Sequence, residues 1–106
     1  MKVIFSPQVR TYFQELEDIL FQEEYFGFED SAIRYVRELF FEIRDSLPNK
    51  LKKPAPTYFN RYGKHLSYAT FKKNDNTQWY VFFNYEDDIY LVRYIGNNHT
   101  CAQHIK

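Results

Sequence analysis

His99 and His104 are two of the three histidines in a chain of 106 residues, and both fall within "YIGNNHTCAQHI", residues 94–105. An imidazole can take or give a proton near neutral pH because its unperturbed pKa lies close by. Seven basic residues and no acidic one occupy the stretch from Lys50 to Lys73. Arg61, Lys64, Lys72 and Lys73 belong to it, with Tyr58, Phe59 and Tyr62 interleaved. Cations bind phosphate oxygens and rings offer stacking platforms, so the mixture suits a surface for a nucleic-acid backbone. A solvated basic loop is the plainer alternative. Arg93 follows in a strand-like run, on the side of Leu91 and Ile95 by simple alternation. There it either reaches a phosphate or lays its stem over apolar surface. Spacing restricts the histidines: five residues apart, they face opposite ways on a strand and about 140° apart on a helix. They share a site only if a turn intervenes, and Gly96, Asn97 and Asn98 supply turn chemistry nearby.

The elements that must position these groups can be read from period and punctuation. "KVIF" is a short apolar run, a first strand. Ser6 then caps a helix with Pro7 at its first position. Val9, Tyr12, Phe13, Leu16, Ile19 and Leu20 recur at helical spacing, predicting a helix from Pro7 to about Glu23. "EEYFGFED" breaks the pattern at Gly27, and Asp30 and Ser31 are good caps for a second helix. Ala32, Val36, Leu39, Phe40, Ile43 and Leu47 line one face of that helix, and Pro48-Asn49 stops it. "NKLKKPAPTYFNRYGK" reads as an irregular connection. Three strands follow, at His65–Lys73, Gln78–Tyr85 and Ile89–Ile95, joined by loops short enough to force antiparallel pairing. The "EDD" of 86–88 is a hairpin turn. The middle strand is apolar on both faces, with Trp79, Val81 and Phe83 on one and Tyr80 and Phe82 on the other. The expectation is an α+β domain of order β-α-α-β-β-β. A helical hairpin covers one face of a small twisted antiparallel sheet, and the other face stays open beside the basic connection.

Composition bounds the possibilities. The length suits one domain spanning residues 1–106. Aromatic residues make up 21% of the chain, ten of them tyrosines, so many hydroxyls must find partners at core edges or on a binding surface. Cys101 is the single cysteine, which excludes an internal disulfide and fits a reducing compartment. No apolar run approaches ~18 residues, and "MKVIF" followed by Ser-Pro is not a signal peptide, so a cytoplasmic protein without membrane contact is expected. Metal binding is not expected, because the His and Cys residues lack paired ligand spacing, and three glycines cannot build a phosphate loop. Net charge is zero but segregated: residues 1–47 carry ten acidic and five basic side chains, residues 48–106 four acidic and nine basic. Opposite charge in the two halves implies two different neighbours. Phe21, Phe26, Phe28 and Phe41 fall off the main helical stripes; they either complete a small cluster or mark a partner site.

The element order, the opening "KVIFSPQVRTYFQEL" and the closing "QWYVFFNYEDDIYLVRYIGNNHTCAQHI" together resemble the RelE/ParE superfamily of bacterial type II toxins. The resemblance covers nearly the whole chain and rests on pattern rather than on one motif. It implies a toxin held by an antitoxin from an adjacent gene. RelE-like members cut mRNA in the ribosomal decoding site without a metal or other cofactor; ParE-like members act on DNA gyrase. On the nuclease branch, the segment after the last strand carries catalytic side chains, here His99 and His104 with Arg93. Arg61, Lys64, Lys72 and Lys73 would bind the substrate, with Asn98 holding neighbouring geometry. The chain departs from the family where "LSYATF" bears no charge before Lys72, and where Gln78-Trp79-Tyr80 stands in place of an arginine. Those departures keep open a gyrase-directed toxin and a non-catalytic binding module.

Overall fold

A computed structural model describes residues 2–22 and 29–105 of the chain. The architecture is α+β: two helices pack against one face of a five-stranded mixed sheet. Strand β1 (Lys2–Phe5) leads into helix α1 (Pro7–Gln22), and helix α2 (Glu29–Ser46) follows. Then come β2 (Lys53–Pro54), β3 (Ser67–Asn74), β4 (Thr77–Glu86), β5 (Ile89–Asn97) and the four-residue helix α3 (Asn98–Cys101). Among the described residues no helix is long and apolar enough to cross a membrane.

The start of α1 follows its sequence signals. The Ser6 hydroxyl accepts from the Val9 amide at 3.3 Å, and Pro7 at the first helical position has no amide to satisfy. Asp30 and Ser31, expected ahead of the second helix, lie inside α2. Leu47–Asn49 form a 3-10 turn that closes this helix where Pro48 was expected to stop it. The expected break at residues 23–28, with Phe26, Gly27 and Phe28, lies outside the described residues.

Strands run in the order β1-β5-β4-β3-β2. The meander of β3, β4 and β5 is antiparallel, as its short loops require. The hairpin between β4 and β5 turns through Asp87 and Asp88 at φ of 53° and 63°, the left-handed pair that matches strand twist. Two features depart from the expected antiparallel sheet. β1 pairs with β5 in parallel, Lys2 opposite Ile89 through Phe5 opposite Val92. The connection also contributes a fifth strand, since Lys53 and Pro54 pair with Tyr68 and Ser67. Loop length constrains only neighbours in sequence, and β1 meets β5 after both helices and three strands have intervened.

The larger departure concerns the sheet's second face. It was expected to be open, and a second core covers part of it. On the helix side Phe13, Leu16, Leu39 and Ile43 pack on Trp79, Val81, Phe83, Val92 and Ile95. On the other side a 3-10 turn over Thr57–Tyr62 lays Phe59 on Phe82, ring centroids 4.2 Å apart. Leu66, Tyr68, Tyr80 and Cys101 complete that cluster, with Tyr58, Tyr62, Tyr94 and Ile105 at its border. The two-sided apolar β4 demands this arrangement, because leaving Phe82 in water would forfeit about 2–3 kcal/mol of burial.

Candidate nucleic-acid interface

The first turns of α1, the outer part of β5 and the 3-10 turn surround a cleft of about 760 Å³. Arg61, Arg93, Tyr62, Tyr94, Tyr12 and Glu15 line it. Each arginine arrives by a local device. In the β4–β5 ladder Phe82 faces Tyr94 and Phe83 faces Val92, so Arg93 is the extra residue of a β-bulge. Simple alternation placed Arg93 with Leu91 and Ile95. The bulge instead lets Val92 and Ile95 both enter the helix-side core, while Arg93 stays exposed at the cleft. Arg61 is fixed by Tyr58: its Nε donates to the Tyr58 carbonyl at 3.1 Å, and its Cζ lies 4.0 Å from the Tyr58 ring centroid. In the same lining Tyr62 and Tyr94 stack face to face at 3.7 Å and 4°.

Asn84 ties the far end of this region together. Its Nδ2 donates to the Lys64 carbonyl at 3.1 Å, and Arg93 Nη1 approaches its Oδ1 at 3.5 Å. Gly63, at φ +156°, lets the chain pass close by; a Cβ there would sit 3.3 Å from Leu66 and 3.6 Å from the Arg93 guanidinium carbon. Lys64 itself is exposed. Arg61 and Arg93 thus share the cleft, whereas Lys64 is held through its carbonyl and does not line it.

Behind the stacked tyrosines lies a small polar interior. Burial raises the Tyr94 hydroxyl's pKa, and hydrogen bonding to Tyr62 adds to the effect. Tyr12 is pushed up to about 12, chiefly by burial. The Cys101 thiol is also raised by burial, against hydrogen bonds to Thr100 and Tyr94 that lower it. Both hydroxyls therefore keep their protons at neutral pH, and the thiol is not a poised nucleophile. Gly96 makes room for this interior: a Cβ there would lie 2.6 Å from Cys101 Sγ.

The other residues singled out in the sequence divide. His104 lies behind the Arg61 turn, outside the cleft: its ring lies flat on Tyr58, 3.5 Å between centroids at 6°. His99 lines a separate groove on the helix side of the sheet, with Trp79, Tyr35 and Leu16, and Tyr12 is a wall common to groove and cleft. The expected turn between the histidines exists, since α3 and the 3-10 turn Ala102–His104 separate them, but it sends them to opposite sides of the sheet. Lys73 is drawn to α2, 3.5 Å from Glu42 and over the Tyr35 ring, with only 16% of its side chain exposed. Lys72 pairs loosely with Asp75 at 3.6 Å. Asn98 is a brace: its Oδ1 accepts from the Gln78 amide at 3.0 Å and its Nδ2 donates to the Asn76 carbonyl at 3.2 Å. Neither Lys72, Lys73 nor Asn98 lines the cleft.

Glu15, Tyr12, Tyr94 and Asn84 were missed from sequence. Tyr12 and Tyr94 carry apolar period, which hides a hydroxyl's role, and Glu15 reads as an ordinary solvent-facing helix carboxylate. Asn97 was legible only as turn chemistry; it caps α3 by accepting from the amides of His99 and Thr100 at 2.9 and 3.2 Å. Among the described residues no three His, Cys, Asp or Glu side chains are grouped to hold a metal ion. Comparison with protein-family models, with curated proteins and with solved structures gives no match.

Proposed function

We propose that the chain is a RelE/ParE-like toxin that binds single-stranded RNA in the Arg61–Arg93 cleft and cleaves it without a metal, with mRNA on the ribosome as its substrate. One observation carries the reading: two arginines on different elements line a single cleft together with a stacked tyrosine pair. Guanidinium groups on two sides match a phosphodiester whose negative charge grows in the transition state. The tyrosines offer a flat platform for a base. In the reaction a 2′-oxygen attacks the adjacent phosphorus and the bond to the 5′-oxygen breaks. The products are a 2′,3′-cyclic phosphate and a free 5′-hydroxyl. Glu15 is the carboxylate of the cleft that can accept the 2′-hydroxyl proton, and a protonated tyrosine there can donate its proton to the leaving 5′-oxygen. This reading gives His99 no direct part. An antitoxin encoded beside the toxin would hold it inactive.

The test is cleavage of a defined message in a cell-free translation extract. Wild type should cut within the decoding site, and Arg61→Ala and Arg93→Ala should each lower the rate roughly a hundredfold with melting temperature unchanged. Uncut message with wild type defeats the proposal. A second reading, a gyrase-directed relative without nuclease chemistry, draws on β3, whose Lys72 and Lys73 face Asp75 and Glu42 rather than the cleft. DNA cleavage that requires gyrase, with mRNA left intact, would support it.

A further inference from the structure

His104 was expected to transfer a proton. Its geometry suits a different task. The imidazole lies 3.5 Å above Tyr58 and nearly parallel to it, and makes an edge contact with Phe59 at 6.3 Å. Arg61 lies 4.0 Å from the centroid of the same Tyr58 ring. At those distances the imidazole and the guanidinium cannot share one face, so Tyr58 is held between them. Arg61 is also bonded to the Tyr58 carbonyl, so its orientation follows Tyr58 as a unit. Tyr58 lies on an exposed turn with its ring only partly buried, and Arg61 is itself exposed. Tyr58 also meets Phe59 edge to face at 5.0 Å, so the imidazole is its closest ring neighbour among the described residues.

The tail that carries His104 is anchored on both flanks. Cys101 is buried beside Gly96, Asn97 caps the short helix before it, and Ile105 packs at the border of the second core. His104 is not a wall of the cleft. The imidazole is therefore a fixed plate delivered by a tied segment, with a face rather than a nitrogen turned to its partner.

We infer that His104 is a positioning residue: it clamps Tyr58 from behind and so holds Arg61 at the angle that meets the substrate phosphate. This rests on the nuclease reading above for its consequence in rate, but not for the clamp itself. A flat ring is all the role needs, so phenylalanine should replace histidine where alanine cannot.

The experiment compares His104→Phe, His104→Ala, Tyr58→Ala and the double alanine variant in the full chain, with thermal melts to show that each is folded. Cleavage of message on ribosomes should stay within about threefold of wild type in His104→Phe, with a superimposable pH–rate profile. It should fall roughly tenfold to a hundredfold in His104→Ala and in Tyr58→Ala, as expected for a displaced catalytic group, and no further in the double variant. Loss in His104→Phe equal to that in His104→Ala, or loss of one limb of the pH profile, would assign proton transfer to His104 and overturn the clamp. A second readout is independent of catalysis: the NMR signal of the Arg61 Nε–H, displaced by the Tyr58 ring current. It should hold its position in His104→Phe and move to that of a free arginine in His104→Ala. An unmoved signal in His104→Ala overturns the inference even if RNA is cut. A wild-type chain that cuts no RNA but shows the expected shifts keeps the clamp and discards the nuclease.

Discussion

The two faces of β4 are covered in different ways. On one, Trp79, Val81 and Phe83 meet two long helices, and the contact is aliphatic and aromatic throughout. Its polar groups are few and paired, as where Trp79 Nε1 donates to the Tyr35 hydroxyl at 2.9 Å. On the other, Tyr80 and Phe82 meet a six-residue turn and a short tail, rich in tyrosine and bordered by Arg61 and His104. Helices bury a broad stripe and close it to water. A turn and a tail bury a narrow one, and leave at its margin half-buried tyrosines and exposed guanidiniums. The first face is a closed core, and the second keeps polar and cationic groups at its edge.

That contrast can be broken most directly at the two centres. Leu39→Ala on the helix side and Phe82→Ala on the other each remove a fully buried side chain. Costs of about 2–5 and 3–5 kcal/mol respectively are expected, read from denaturant melts. The distinction appears at temperatures where both variants remain folded: RNA cleavage should survive Leu39→Ala and fall in Phe82→Ala, which undercuts Phe59 and the Arg61 turn. Equal loss of activity in both would erase the difference between the faces.

A finer probe is Gly96→Ala. The added methyl would press on Cys101 Sγ at 2.6 Å, so about 1–3 kcal/mol of stability should be lost. Cys101→Ala in the same chain should return much of it, since the obstructing atom is gone. Failure of that rescue would mean that the backbone, not the thiol, sets the tolerance at Gly96.

Ser6→Ala acts on the helix side alone. Losing the cap on the Val9 amide should cost about 1 kcal/mol and leave cleavage unaffected in the folded protein. The last effect is read only at alkaline pH and concerns Tyr12, the wall shared by the cleft and the His99 groove. Its folded pKa of about 12 lies above the ordinary value of 10.0. The unfolded chain therefore loses this proton first. The stabilisation is complete below pH 10 and is lost as pH rises toward 12. Tyr12→Phe should flatten that part of the stability–pH curve; an unchanged slope would place the effect on other groups.

Much of this was legible in the residues themselves, for reasons that are local. The Ser6-Pro7 start, the apolar stripes of both helices, the meander and the "EDD" turn each depend on neighbours within a few positions. The double-sided apolar pattern of β4 was legible too, yet only the helix side was expected to be covered, because nothing nearby showed that the basic connection and the tail fold back over the other. Other features needed contacts across long separations in sequence. The parallel pairing of β1 with β5, and the capture of Lys73 by Glu42, join segments that period and spacing treat as unrelated. The bulge at Arg93 is a one-residue slip in a ladder, visible only when both strands are in register.

The chain's own sequence determined the start of the first helix, the apolar stripes of both helices, the antiparallel meander with its doubly apolar middle strand, and that cations and rings gather in its second half. These follow from capping, period and composition, which act over a few residues. Tertiary structure alone decided which of those cations face one cleft, that His99 and His104 part to opposite sides of the sheet, and that His104 offers a ring face rather than a nitrogen. Those outcomes depend on how closely packed surfaces from distant segments exclude one another, and no local rule contains that geometry.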